Sequence, residues 1–177
     1  AAFILGELGN KSAVSLLKDG ASTPMPRAET IEARLAYLQM AEAMVKLGED
    51  SAINEVRAAL YPGRPEDLEA TVLAAQIIGQ VQDKQSAAQL VYLTMDKDGA
   101  GNPYPAEVRL QIASSLAKLG NSAGTFIADE FIKSPKPSLR AQAVSVYGET
   151  RQNANLGKVV PMMADPDAIV RIYAATA

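Results

Sequence analysis

Apolar positions recur along the chain at helical spacing. In the stretch AEVRLQIASSLAKLG, Val108, Ile112, Leu116 and Leu119 fall on one side of a 3.6-residue turn, which predicts an amphipathic helix with a buried stripe. Valine and isoleucine nowhere form an alternating run, so no strand is predicted. A Leu-Gly-Asn or Leu-Gly-Glu turn ends such stretches, with glycine at the position that closes a helix. A second, shorter apolar stretch follows each turn: SAVSLL, SAINEVRAAL, SAAQLVYL and AGTFIADEFI. Proline-containing turns (PMP, YPGRP, PYP, PKP, DP) then lead into the next long helix, where proline's missing N–H costs nothing.

These pairs repeat. Ala106–Gly124, Ser138–Ala154, Ala168–Ala177 and Ala1–Leu17 align by eye, and Arg109, Arg140 and Arg171 fall at equal intervals within them. Looser copies are Leu35–Val56 and Ala70–Leu90, whose turn positions are Gly48 and Gln82. That interval is slightly longer than the one between the arginines, and the interval from Gly9 to Gly48 is longer again, so the period drifts. A single all-α array over residues 1–177, of about five units, is expected. Both ends fall inside the pattern, and Phe3, Ile4, Ile169 and Ile172 would face outward there. The expectation is therefore a longer array, or self-association through the open ends.

Composition narrows the chemistry. The chain has no Cys and no His, which removes thiol nucleophiles, imidazole bases and zinc sites built from them. No catalytic residues and no cofactor are expected. A formal net charge of −3 provides no basic excess for a phosphate backbone, so no nucleic acid is expected as partner. No apolar run is long enough for a membrane span.

The loop TMDKDGAGNPYPAEVR raises calcium. Counting from Asp96, Asp98 stands at position 3, Gly101 at 6 and Glu107 at 12, as a helix-loop-helix calcium site requires. Position 5 is Ala100, which has no ligand atom, and prolines occupy positions 8 and 10. A second copy, Lys18–Glu29, keeps Asp-Gly-Ala and Pro-x-Pro but has Leu17 in place of Asp96. What the copies share is turn geometry, so Asp96, Asp98 and Glu107 are only a weak metal set. Met25 and Tyr104, one in each copy, both sit between two prolines. Each is either an exposed contact on a stiff turn or a side chain folded back on its own unit.

The order of short helix, Asp/Pro turn, Val-Arg, alanine-rich helix and Leu-Gly-Asn turn resembles the HEAT repeat, in the short bacterial form also seen in phycobilisome-lyase-type proteins. Val108-Arg109, Leu139-Arg140 and Val170-Arg171 carry the match. Ala33-Arg34 fits poorly, because the aligned positions are Tyr37 and, one unit on, Thr71. A tetratricopeptide array is the alternative, but its strict period and Trp-containing pattern are missing. The resemblance implies a right-handed α-solenoid whose Val-Arg helices line a concave side.

It further implies a ladder of turn acids bonded to early-helix arginines: Asp98 with Arg109, and Asp165 or Asp167 with Arg171. Arg140 has no acid in its turn, where Ser138 would cap the helix instead. Read in register, the concave rows are Gln39, Leu73, Gln111, Gln142 and Tyr173, then Glu42, Gln76, Ser114, Ser145 and Thr176, then Lys46, Gln80, Lys118 and Glu149. The first two rows are mostly uncharged and suit a protein or peptide. A non-catalytic scaffold is the expected function. Its alternatives are a structural subunit of a larger assembly and a bilin-lyase-like enzyme or chaperone using carboxylates such as Glu42. The repeat type implies a bacterial source, and the lack of cysteine leans slightly toward the envelope.

Overall fold

A computed structural model describes residues 1–22 and 30–177. Eleven α-helices run through the described residues, with no strand among them. The described backbone divides into two compact units, Ala1–Val81 and Gln82–Ala177. No described helix is long and apolar enough to cross a membrane.

The first unit holds α1 (Ala2–Leu8), α2 (Ala13–Ser22), α3 (Ile31–Lys46), α4 (Ile53–Ala58) and α5 (Leu68–Val81). Helix α3 is its centre and packs on the other four. The Thr30 side chain accepts from Ala33 N at 3.3 Å and starts α3 by capping a free N–H. Leu38, Ala41, Met44 and Leu47 of this segment are buried with Val56, Leu60, Ala74, Ile77 and Ile78. Gly6 lets α1 come close to α3, since a Cβ there would lie 3.0 Å from the Ala43 Cα.

The second unit holds α6 (Ala87–Met95), α7 (Ala106–Lys118), α8 (Thr125–Phe131), α9 (Pro137–Glu149), α10 (Leu156–Val159) and α11 (Ala168–Thr176). Helix α7 packs on α6, α8 and α9, and α9 packs on α8, α10 and α11. Most of the predicted stripe of α7 is inside: Ile112 and Leu116 are fully buried and Leu119 nearly so, whereas Val108 is only half-buried. A different set on α7, Leu110, Ala113 and Ala117, joins the core cluster with Ile127, Val144, Val146, Tyr147 and Val170. Short side chains set the spacing of these helices, and Gly124 is a tight case. A Cβ on Gly124 would meet the Ala113 Cα at 2.8 Å.

The turns after the long helices share one geometry. Gly48, Gly120, Gln82 and Arg151 all have positive φ, at 95°, 77°, 60° and 52°. At Gly120 the chain closes with Gly120 N donating to Ala117 O and Asn121 N to Leu116 O, each at 2.9 Å, the paired bonds of a Schellman end. The alignment of Gly48 with Gln82 thus corresponds to a common backbone conformation. Glycine adopts it without strain, whereas glutamine and arginine do not.

Candidate functional site

Arg109, Arg140 and Arg171 each bond within the chain, with partners that differ from those expected. Arg140 grips Asp165 through two bonds, Nε to Oδ2 at 2.8 Å and Nη2 to Oδ1 at 2.7 Å. Its third arm donates to Ser134 O at 2.8 Å. Arg171 Nη1 reaches the main-chain carbonyls of Asp165 and Pro166, at 2.8 and 3.0 Å, and not a carboxylate. Both guanidinium groups thus clasp carbonyls of the turn behind them, and Arg140 also takes an acid from the following turn. Asp167 accepts from Ile169 N at 2.8 Å and caps α11. Ser138 is no cap, because α9 already begins at Pro137 and its N-cap is Lys136.

The expected pairing of Asp98 with Arg109 is absent. Arg109 forms a two-bond pair with Glu130 of α8, at 2.7 and 2.8 Å, and lies 5.7 Å from the centre of the Phe131 ring. In the first unit Arg34, which aligned poorly, pairs with Asp67. Asp67 also accepts from Gly63 N and Arg64 N, each at 3.0 Å, so the acid orders the turn and holds the helix before it. The arginine beside each acid holds Asp67 and Asp165 below the usual carboxylate range. As a basic stripe, these side chains are poorly available, since Arg109 and Arg140 are each only 12% exposed.

The calcium-like loop folds on itself. Asp98 accepts from Ala100 N and Asn102 N at 2.9 and 2.8 Å, and its carboxyl is lowered chiefly by the Asn102 bond. Gly101, at φ 83°, closes the turn with its N–H on Asp98 O. Asp96 accepts from the Tyr104 hydroxyl at 2.9 Å. Glu107 lies in the first turn of α7, where the helix dipole favours an acid. Among the described residues no three acids gather as a metal set. Tyr104 is only 8% exposed, so it is a buried lock on its own loop and not a projecting contact. Burial, helped by Asp96, pushes its hydroxyl up to about 12. Met25, its expected counterpart, lies outside the described residues.

The predicted rows resolve into a used set and a free set. Ser114 and Ser145 both donate to Glu149, and Lys118 pairs with Glu149 at 3.4 Å. Glu42 is 7% exposed and stands 2.8 Å from Lys46 Nζ, which also contacts Glu7 at 2.6 Å and the Phe3 ring. Among the described residues, the side-chain amides of Gln39, Gln76, Gln111 and Gln142 make no intramolecular hydrogen bond. Gln39 is exposed, and the other three are half-buried.

In the second unit the free and used residues define one face. Ser114 lies about one turn beyond Gln111, and Glu149 about two turns beyond Gln142. The Ser114–Glu149 bond therefore sets the two glutamine stripes on a common side of α7 and α9. An open cavity of about 380 Å³, lined by Ser145, Glu149, Arg151, Tyr173 and Thr176, extends that side onto α11. Lys118 and Glu149 on it pair with one another, and Arg151 adds an exposed cation at the cavity. The spacing of Gln111, Gln142 and Tyr173 signals the row, whereas the engagement of its serines by Glu149 left no mark in the sequence. Compared with known proteins, the chain matches no family model and no characterised sequence.

Proposed function

We propose that the chain is a non-catalytic scaffold of the HEAT-like, α-solenoid kind, which holds a protein or peptide against the polar face of α7, α9 and α11. The observation that carries this reading is the pair of unbonded amides, Gln111 and Gln142, on adjacent helices of a face whose serines, Ser114 and Ser145, are taken up by Glu149. Half-buried amides offer both a donor and an acceptor, and a polypeptide can use both. The paired state of Arg109 and Arg140 argues in the same direction, since it withdraws the cations a phosphate backbone would need.

The test uses the chain as bait beside a Gln111→Arg/Gln142→Arg variant, with bound proteins identified by mass spectrometry. A partner retained by the parent chain and lost by the variant is the expected result. Equal retention by both would remove the face from consideration.

A second reading has its own support. Phe3, Ile4 and Leu8 of α1, and Ile169 and Ile172 of α11, are each more than half exposed. Large apolar side chains gathered on a helix favour burial against another surface. In this reading the chain is a subunit of a larger assembly, or associates with itself. Sedimentation of the parent chain and of an Ile169→Glu/Ile172→Glu variant tests it, with loss of the larger species expected.

A further inference from the structure

We propose that the Asp165–Pro166 peptide bond is a latent self-cleavage site, whose nucleophile is the Asp165 carboxyl and whose guard is Arg140. No partner is needed, since the change is in the chain itself.

Asp165–Pro166 is the one Asp-Pro pair in the sequence. Bonds of this kind are the most acid-labile in a polypeptide, because nucleophile and leaving group are both at hand. An oxygen of the aspartic acid adds to the carbonyl carbon of the same residue. The tetrahedral adduct collapses by breaking the bond to the proline nitrogen, which leaves with the carboxyl proton as a secondary amine. Water then opens the cyclic anhydride, so that one chain ends at Asp165 and another begins at Pro166. Water is the only co-reactant.

The fold acts on the two halves of this reaction in opposite senses. On the carbonyl side, Arg171 Nη1 donates to Asp165 O at 2.8 Å. A cation on that oxygen draws electrons from the carbon under attack and meets the negative charge of the adduct. Pro166 is exposed to water. On the carboxyl side, Arg140 Nε and Nη2 hold Oδ2 and Oδ1 at 2.8 and 2.7 Å, and Asp167 N donates to Oδ1 at 2.9 Å. The carboxyl cannot turn onto its own carbonyl without leaving all three bonds. The charged groups that face it are Arg140 from α9, Arg171 from α11 and Asp167 from its own turn. Arg140 leads in keeping it ionised, and an ionised carboxyl has no proton for the departing nitrogen. The bond is thus activated at one atom and blocked at another. Cleavage would cut the main-chain connection to α11, whose Val170 and Ala174 belong to the core cluster.

The test holds the protein at about pH 4, near the ordinary aspartate value, at a temperature where circular dichroism shows it folded. Mass spectrometry measures fragments that end at Asp165 or begin at Pro166. The same chain in urea is the unguarded reference. Cleavage should be roughly ten- to hundredfold slower in the folded chain than in urea, the factor implied by freeing a carboxylate from charged hydrogen bonds. Arg140→Gln, folded, should cleave at least as fast as the parent in urea, since Arg171 still holds the carbonyl. Arg140→Lys keeps the charge but not the two-bond grip, and should fall between the folded parent and Arg140→Gln. It decides the matter if Arg140→Gln does not fold. Asp165→Asn should abolish the cut. Equal rates for the parent folded and in urea, a folded arginine variant as slow as the parent, or cleavage of Asp165→Asn at the parent's rate would each overturn the proposal.

Discussion

Arg109 and Arg140 occupy equivalent positions in the sequence pattern, and each holds a carboxylate by two bonds of nearly equal length. Their surroundings differ. Asp165 is 6% exposed at the side chain and Glu130 is 45% exposed. Asp165 lies in the turn after α9's own hairpin and also accepts from Asp167 N at 2.9 Å, so it ties a helix to a turn. Glu130 is an outward residue of α8. Equal distances therefore conceal unequal weight, because water screens one pair and is kept from the other. The reason for the divergence is local. The position that supplies Arg140 with an acid is Asp165, and the position at the same separation from Arg109 is Ser134. With no acid there, Arg109 turns to α8.

The largest expected effect follows from removing the enclosed acid. Asp165→Ala leaves the Arg140 guanidinium with main-chain carbonyls only and frees the turn before α11. Breaking an enclosed pair by deleting one partner costs more than the pair itself is worth. A loss of several degrees in Tm is expected from thermal unfolding, against a much smaller loss for Glu130→Ala. Equal losses would break the comparison.

Acid should act in the same order. Asp165 has a folded pKa lowered by Arg140, so its contribution is fully present above the unfolded aspartate value, about 3.9. It is lost as pH falls through the folded value. Thermal unfolding between neutral and strongly acidic pH should show the parent chain losing Tm more steeply below that value than Asp165→Asn does. Parallel curves would mean that Arg140 does not sense the carboxylate's charge.

A smaller effect sharpens the same comparison from the other side. Glu130→Ala removes a half-exposed partner, and such pairs contribute about 0.2–1 kcal/mol. Ser134→Asp places an acid where the register has one for Arg140. If register governs the partner, Arg109 should move to it, and Glu130→Ala in that background should become nearly neutral. A double-mutant cycle reads this directly. An unchanged cost for Glu130→Ala would show that α8 and the Phe131 ring hold Arg109 whatever the turn contains.

These cases indicate what the sequence made legible. Helical spacing of Val108, Ile112, Leu116 and Leu119 predicted α7 and part of its inner side, but Val108 is half-buried and Leu110, Ala113 and Ala117, small or off that spacing, join the core cluster instead. The pairing of arginines was not legible. Reach across a hairpin depends on where helices lie, and the acid nearest in sequence, Asp98, has donors in its own loop. Tyr104 was undecided for a related reason. Flanking prolines stiffen a turn without saying which way it points, and only the Asp96 bond settles that it points inward. The glutamine row was visible from its interval, but its separation from the serines needed Glu149 in place.

The turns offer the smallest effect, and one of opposite sign. Arg151 and Gln82 hold a left-handed backbone that Gly48 and Gly120 hold elsewhere. A side chain with a Cβ is strained there by about 1–2 kcal/mol, while glycine loses somewhat less through its unfolded-state freedom. Arg151→Gly should therefore raise stability by roughly 0.5–1 kcal/mol, measured by denaturant unfolding. Gln82→Gly should gain less, because Gln82 Nε2 donates to Lys118 O at 3.2 Å and that bond would go. Arg151 also lines the cavity beside Tyr173, so the same variant separates two roles. A gain in stability with unchanged partner capture would make Arg151 a strained turn residue. A gain in stability with weakened binding would mean that the strain is kept for the sake of the cationic side chain at that cavity.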